Sequence, residues 1–368
     1  MSKKDSVSII GIATTYVGTV IGAGYASGQE ILQYFLYFRE HTLTIVLITA
    51  LLFFVFGYIP AWLANHFATK DYLQAINPIA YSHNAILHKF FLRFCDVFIT
   101  LSLFGTLVIM LAGAGTTFEE KFHLPMFVGA LFVCILLMVN TYIGLNMVVK
   151  VMEILIPYMF LGVAVVGIYS LWNPTMASSE EIANASINNS DLIWHWSMSG
   201  VLYVAFNFQL ALAVLCPLGC RANTKTIFWG ILLGAIMLGG CAGFLCWVFN
   251  AHITVIGTQR LPMIVLANNI SPLIGALYAV VLFFGLYSTA ITCFYGSVER
   301  FAKLHILRRT SSLLVISLTA IMGFFASLLG FKDLISIVYP LLGYGGIVIM
   351  CLILYTYYQV RRKDTYAR

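Results

Sequence analysis

The amino-acid sequence predicts an all-α integral membrane protein with ten transmembrane helices. Three observations carry that prediction. Of the 368 residues, 61% are hydrophobic and 9% charged, against roughly 45–50% and 25% in a soluble domain, and the mean hydropathy is +0.94. The apolar runs continue for about 18–28 residues, the length of a bilayer-crossing helix, where an outer-membrane strand alternates over about ten. The basic residues also segregate. With the N-terminus inside, 16 of the 20 Lys and Arg lie on or near the inner side, and Arg39, Lys121, Arg260 and Lys332 lie outside. Cytoplasmic loops carry this excess.

The runs place helix 1 at 7–38, helix 2 at 42–66, helix 3 at 90–117, helix 4 at 124–140 and helix 5 at 143–172. Helix 6 follows at 193–218, helix 7 at 224–250, helix 8 at 271–301, helix 9 at 310–330 and helix 10 at 334–360. Short helices are expected within 72–87 and 261–270. The chain divides into a first five-helix repeat, 1–172, an outer loop, 173–192, and a second repeat with a tail, 193–368. The loop carries Glu180, Glu181 and Asp191 and no Lys or Arg. An odd number of helices per repeat inverts the second against the first, a plan common among secondary transporters. The even total puts both termini in the cytoplasm, with the protein in the cell inner (plasma) membrane. The basic, retained N-terminus reads as the start of helix 1 rather than as a signal peptide. The eight cysteines, mostly within apolar runs and without CxxC spacing, read as small hydrophobes. The net charge of +6 forms no nucleic-acid patch.

Helix 1 contains Gly18-Thr-Val-Ile21-Gly22-Ala23-Gly24-Tyr25-Ala-Ser27-Gly28-Gln-Glu30. Four glycines in eleven residues weaken a continuous helix. They could form a packing face, but Gly22, Gly24 and Gly28 do not share one face. Ser27-Gly-Gln-Glu30 has the spacing of a capping box, so a half-helix is expected to restart at 28. An unwound segment frees carbonyls for a cation and N–H groups for an anion. Glu30 is the most deeply placed charge, able to bind a cation, carry a proton or cap the half-helix.

Helix 6 reads Tyr203-Val-Ala-Phe206-Asn207-Phe208-Gln209. By symmetry with helix 1 it is expected to be interrupted, although no glycine marks the place. Asn207 and Gln209 are either substrate contacts or interhelical hydrogen bonders. Helix 8 carries Gly285-Leu-Tyr287-Ser288-Thr289. Its adjacent hydroxyls could simply bond back to the preceding turn.

The stretches Gly18-Thr-Val-Ile21-Gly22-Ala-Gly24 and Phe-Phe-Gly285-Leu-Tyr-Ser288-Thr289 resemble the sodium-site segments of LeuT-fold transporters. That resemblance implies a sodium ion, as coupling ion, held by the Gly18, Ile21 and Gly285 carbonyls and the Ser288 and Thr289 hydroxyls. All are hard oxygen donors suited to a hard cation. The element from Gly22 to Glu30, followed by Ile-Leu-Gln-Tyr-Phe, resembles the YkvI-type family of the amino acid–polyamine–organocation superfamily. Where a second sodium site of such symporters has an asparagine, this chain has Tyr25. Where proton-coupled relatives have a lysine late in helix 5, it has Met159. Both the absent lysine and the hydroxyl pair favour sodium over proton coupling.

The resemblance implies a symporter of an amino acid, amine or related small solute, working by alternating access within a lipid bilayer. The substrate is expected on Gly22, Ala23, Gly24, Tyr25, Ser27, Glu30, Phe206, Asn207 and Tyr287, with the Ala23 and Gly24 N–H groups holding a carboxylate. Alternatives are proton coupling through Glu30 and a nutrient-sensing receptor that transports nothing. The sequence carries no HExxH, GxSxG or P-loop, so an enzyme is not expected. It also suggests two intrahelical pairs, Lys150 with Glu153 and Arg93 with Asp96.

Overall fold

A computed structural model describes residues 7–70, 72–75, 85–143, 146–175, 177–302, 304 and 310–366, with only the backbone of Ala23, 85–92, 142–143, 146–156, Ser179, Ala183 and 363–366. Among these residues every regular element is helical. In chain order they are α1 (Ile9–Val20), α2 (Ala23–Ser27), α3 (Gln29–Ile31), α4 (Thr42–His66), α5 (Tyr72–Ala75), α6 (Ala85–Phe122), α7 (Met126–Ile143), α8 (Asn146–Trp172), α9 (Ser179–Asn184), α10 (Trp196–Arg221), α11 (Thr224–Asn250), α12 (Ile253–Ile256), α13 (Pro262–Ile270), α14 (Pro272–Ala302), α15 (Ser312–Ser327) and α16 (Phe331–Tyr366). A π-turn, Leu32–Leu36, continues α3.

Among the described residues, six helices are long and apolar enough to cross a membrane: Arg39–His66, Arg93–Phe122, Trp196–Arg221, Thr224–Asn250, Pro272–Ala302 and Phe331–Arg362. Four shorter apolar helices, Ile9–Val20, Met126–Thr141, Pro157–Trp172 and Ser312–Ser327, stand where the sequence expects the other crossings. Leu43, Leu47 and Leu51, one helical turn apart on α4, are 70%, 62% and 61% exposed. Ser27, Gln29, Glu30 and Gln33 are all buried. An apolar outer face around a polar interior suits hydrocarbon as the surrounding solvent.

The helices pack in two groups. In one, α1 and α4 each lie against α10 and α11. In the other, α6 packs on α7, α14 and α15, and α15 also touches α7 and α14. Helix α8 flanks α14, and α16 flanks α6 and α10. The broken first segment lies between the groups, since α1 meets α10 and α11 while α2 meets α13, α14 and α8.

The first helix breaks twice. Ile21 leaves the helical region at ψ 92°, Gly22 is extended, and α2 begins at Ala23. Gly28 then takes the left-handed conformation, φ +85°. The expected capping box does not form. Gly28, not Ser27, precedes α3, and no side chain caps it. The Ser27 hydroxyl instead donates to the Gly24 carbonyl at 2.7 Å and accepts from the Gln29 N–H at 3.2 Å. The reason is local: α2 already uses Ser27 as its last turn, which points the hydroxyl back along that helix.

The sixth predicted helix is not interrupted. Helix α10 runs unbroken from Trp196 to Arg221. Its polar residues make no break necessary. Asn207 Nδ2 donates to the Tyr203 carbonyl one turn back (3.0 Å), and Gln209 Nε2 donates to the Ala205 and Leu342 carbonyls (3.2 and 2.8 Å). Ser102 completes Gln209 by donating to its Oε1 at 2.5 Å. Gln209 therefore joins α10 to α6 and α16.

Asp96 pairs with Arg300 rather than with Arg93. Arg300 Nη1 lies 2.7 Å from Asp96 Oδ1 and Nη2 donates to Tyr72 Oη at 2.9 Å. Packing of α14 on α6 brings the guanidinium to a partner that helical spacing alone does not select. Asp96 is 67% exposed, so Asp96→Asn should change stability by no more than about 1 kcal/mol. Arg300→Ala, which also removes the Tyr72 bond, should lower the melting temperature in detergent further. The side chains of Lys150 and Glu153 lie outside the described residues. The long loop is tied down at several points. Arg39 donates to the carbonyls of Ile182 and Ala185, and Asn188 N–H bonds the Gly257 carbonyl at 2.8 Å.

Candidate functional site

The break in the first helix opens onto a cavity of about 80 Å³, walled by Gly18–Gly22, Gly24 and Glu30 together with residues of α6, α8, α10, α14 and α16. On the same measure a water needs about 10–15 Å³, so the space admits a small solute and an ion rather than a large ligand.

One wall is rich in oxygen donors. Gly18, Ile21, Gly285, Ser288 and Thr289 all line the cavity. The Gly22 N–H bonds the Val20 carbonyl at 3.0 Å, so it does not serve the Gly18 carbonyl, its partner in a regular helix. The Thr289 hydroxyl stands 3.8 Å from where a Cβ on Gly22 would lie, directly across from the break. Ser288 and Thr289 donate to the Gly285 carbonyl at 3.1 and 3.3 Å. Because both hydroxyls act as donors in these bonds, their oxygen lone pairs stay available to a cation.

Glu30 also lines the cavity. Its carboxyl folds back over Gly24, and its Cδ lies 2.9 Å from where a Gly24 Cβ would be. Only a residue without a side chain leaves that room. Glu30 is buried, and its Oε2 has no hydrogen-bond partner. The Tyr203 hydroxyl faces it within interaction range, without reaching full hydrogen-bond geometry. Tyr25, Tyr34 and Tyr339 are within electrostatic reach. Phe206 and Tyr339 also line the cavity, their rings stacked at 4.3 Å and 11°.

Of the residues expected at the substrate, Gly22, Gly24, Glu30, Phe206 and Asn207 share this cavity. Ala23 begins α2 beside it. Three residues are directed elsewhere. Ser27 bonds within α2. Tyr25 lines a separate apolar cavity with Phe160, Cys241 and Phe244. Tyr287 accepts a 2.5 Å bond from Asn140 on α7. The last follows from helix geometry: residue 287 sits about 200° around from 285, while 281, 285, 288 and 289 share a face.

Sequence reasoning missed Thr106, Met110, Leu210, Val281, Phe284 and Tyr339, which also form the walls. Tyr339 is the most informative of these, and it lies some 300 residues from the break. Its only local signal is an adjacent Pro340 within α16. Met159, at the position where related proteins have a lysine by the resemblance above, does reach the cavity.

No family model matches the chain. It is 27% identical over 344 residues to "Uncharacterized membrane protein YkvI" of Bacillus subtilis (strain 168), covering 90% of this chain and 91% of that protein. It is 25% identical over 353 residues to "Uncharacterized protein YyaD" of the same organism, covering 92% and 94%. The resemblance to YkvI-type proteins thus extends over nine-tenths of both chains. Among solved structures, the Eremococcus coleocola manganese transporter with an aromatic bis-isothiourea compound superposes with a TM-score of 0.51 at 16% identity, covering 88% of this chain and 70% of that one. A mutant of the same transporter gives 0.50 at 15% identity, covering 95% and 77%. The fold is therefore one that a membrane transporter has.

Proposed function

We propose that the chain is a secondary active transporter that couples sodium entry to uptake of an amino acid or related small solute by alternating access. The observation that carries this reading is the cavity at the break of the first helix, where backbone carbonyls and a hydroxyl pair converge. Gly18, Ile21, Gly285, Ser288 and Thr289 would hold the sodium ion. The N–H groups of Ala23 and Gly24 would meet a substrate carboxylate, and Gly22, Phe206 and Asn207 would enclose the solute.

The packing supports a five-plus-five inverted plan of the LeuT type, with ten crossings, repeats at 1–172 and 193–368, and both termini cytoplasmic. Exchanging each crossing with its fifth successor turns the α1–α11 contact into α10–α4, and α8–α14 into α16–α6; both members of each pair occur. The likeness to YkvI and the fold shared with a transporter agree with it. The solved neighbour's manganese is the weaker reading for this chain. Among the described residues, Glu30 is the only acidic one on the cavity wall, and no group of three His, Cys, Asp or Glu could hold a metal ion.

Proton coupling is the second reading, favoured by the partnerless Glu30 Oε2 and opposed by Met159 in the lysine position. Proteoliposomes decide between them. An inward sodium gradient should drive accumulation from a panel of amino acids and amines. Uptake driven by a pH gradient in sodium-free buffer and lost in Glu30→Gln would select the proton. Tight binding with no accumulation under either gradient would select a receptor.

A further inference from the structure

We infer that a lateral cavity between α6 and α14 binds one anionic phospholipid, with an acyl chain in the cavity and the headgroup phosphate on Lys121. This site is separate from the break in the first helix. Lipid binding is read without solute or gradient, so it stands or falls independently of the transport reading.

The cavity has a volume of about 440 Å³, on the measure that gives about 80 Å³ at the break. Phe118, Phe122, Phe283 and Phe284 line it, and the single-carbon side chains of Ala276 and Ala279 leave the space between them. Its mouth faces out of the helix bundle, where Phe122 is 59% and Val280 47% exposed. In a bilayer such a surface meets acyl chains. Thr117 also lies on the wall, but its hydroxyl donates to the Gly113 carbonyl at 2.8 Å. Among the described residues, Lys121 is the one charged group on this wall.

Lys121 stands where a cation is unfavourable unless an anion joins it. Its Nζ donates to Asn268 Oδ1 at 2.5 Å and lies 2.9 Å from where a Cβ on Gly275 would be. Gly275 is the fourth residue of α14, so the ammonium sits by the first turn of a long helix, at its positive end. Asn268 is neutral and takes one of three N–H donors. Lys121 belongs to neither side-chain ion pair among the described residues, Arg260–Glu119 and Arg300–Asp96. Glu119 is held by Arg260 at 2.6 Å, and Glu120, one position back, points about 100° away around α6. A soluble anion would answer the charge and leave the cavity unfilled. A neutral lipid would do the reverse, and an anionic phospholipid does both. Phe284 also walls the cavity at the break, so an acyl chain in this site reaches that cavity through one shared side chain.

Native mass spectrometry of the full-length chain in detergent tests this, with phosphatidylglycerol and phosphatidylcholine of matched chains as probes. One phosphatidylglycerol should be retained, about fivefold or more tighter than phosphatidylcholine. Lys121→Ala should erase that preference. Ala276→Trp fills the cavity from an exposed position on α14 and should release the retained lipid; it serves as the second variant if Lys121→Ala does not fold. Glycerol 3-phosphate, a headgroup without a chain, should not displace the lipid, and neither should equimolar oleate. Equal affinity for the two phospholipids in the parent would overturn the inference. So would an unchanged preference in Lys121→Ala, or retained lipid in Ala276→Trp where that variant stands in. Displacement by glycerol 3-phosphate would make this a soluble-anion site, and displacement by oleate a fatty-acid site; either result also overturns it.

Discussion

Ser288→Ala combined with Thr289→Ala should abolish sodium-stimulated uptake while leaving the protein folded. Both hydroxyls line the cavity, and their hydrogen bonds to the Gly285 carbonyl are long, 3.1 and 3.3 Å. Losing such back-bonds costs a membrane helix little. Losing two oxygen donors to a bound cation costs far more. Bonds to a charged group contribute about 1.5–3 kcal/mol each, so sodium affinity should fall about a hundredfold or more. Thr289→Ser, which keeps the hydroxyl, should transport nearly as well as the parent. The measurement is initial uptake rate against sodium concentration in proteoliposomes. An unchanged sodium dependence in the double variant would remove Ser288 and Thr289 from the site.

Gly28→Ala should strongly destabilise the first helix. Gly28 sits at φ +85°, a conformation costing an L-residue about 1–2 kcal/mol. An added Cβ would also enter the Phe249 ring, with Cε2 at 2.7 Å, and crowd Met263 Cγ at 3.3 Å. Overpacking of this kind costs about 1–3 kcal/mol. The two effects together predict a loss of about 2–5 kcal/mol. Gly240→Ala is the control, because nothing lies within 4 Å of its added Cβ and the position is inside α11. That substitution should be neutral or stabilising by up to about 1 kcal/mol. Thermal unfolding of both variants in one detergent makes the comparison. Equal melting temperatures would mean that the turn at Gly28 is not part of the folded state.

How far the candidate site was legible depended on how local each cue is. The glycine density of 18–28 marked the break, because helix propensity acts residue by residue. The Ser288–Thr289 pair was visible as adjacent hydroxyls in an apolar run. The restart is not legible locally: Ser27-x-x-Glu30 has capping-box spacing in the sequence, whereas Glu30 is drawn away to cover Gly24. The break in the sixth helix was expected from symmetry alone. With no glycine in the middle of α10, and with Asn207 satisfied one turn back, the chain has no cause to unwind there. Tyr287 adjoins the hydroxyl pair in the chain, but helical rotation turns it to Asn140 instead.

Where the helices lie is a matter of the chain's local composition. Its apolar runs at 42–66 and 224–250 are the bounds of α4 (Thr42–His66) and α11 (Thr224–Asn250), because transfer of a segment from water to hydrocarbon depends on the residues in that segment. Local composition also determines that the first helix is broken and that Glu30 is buried within it. Which side chains meet depends instead on how the helices pack. Arg300 rather than Arg93 reaches Asp96. Tyr339, from the last helix, stacks on Phe206 beside a carboxyl in the first. Rotation and partnership of helices are set by packing and hydrogen bonding between segments distant in the chain, and no window of sequence contains both halves of such a contact.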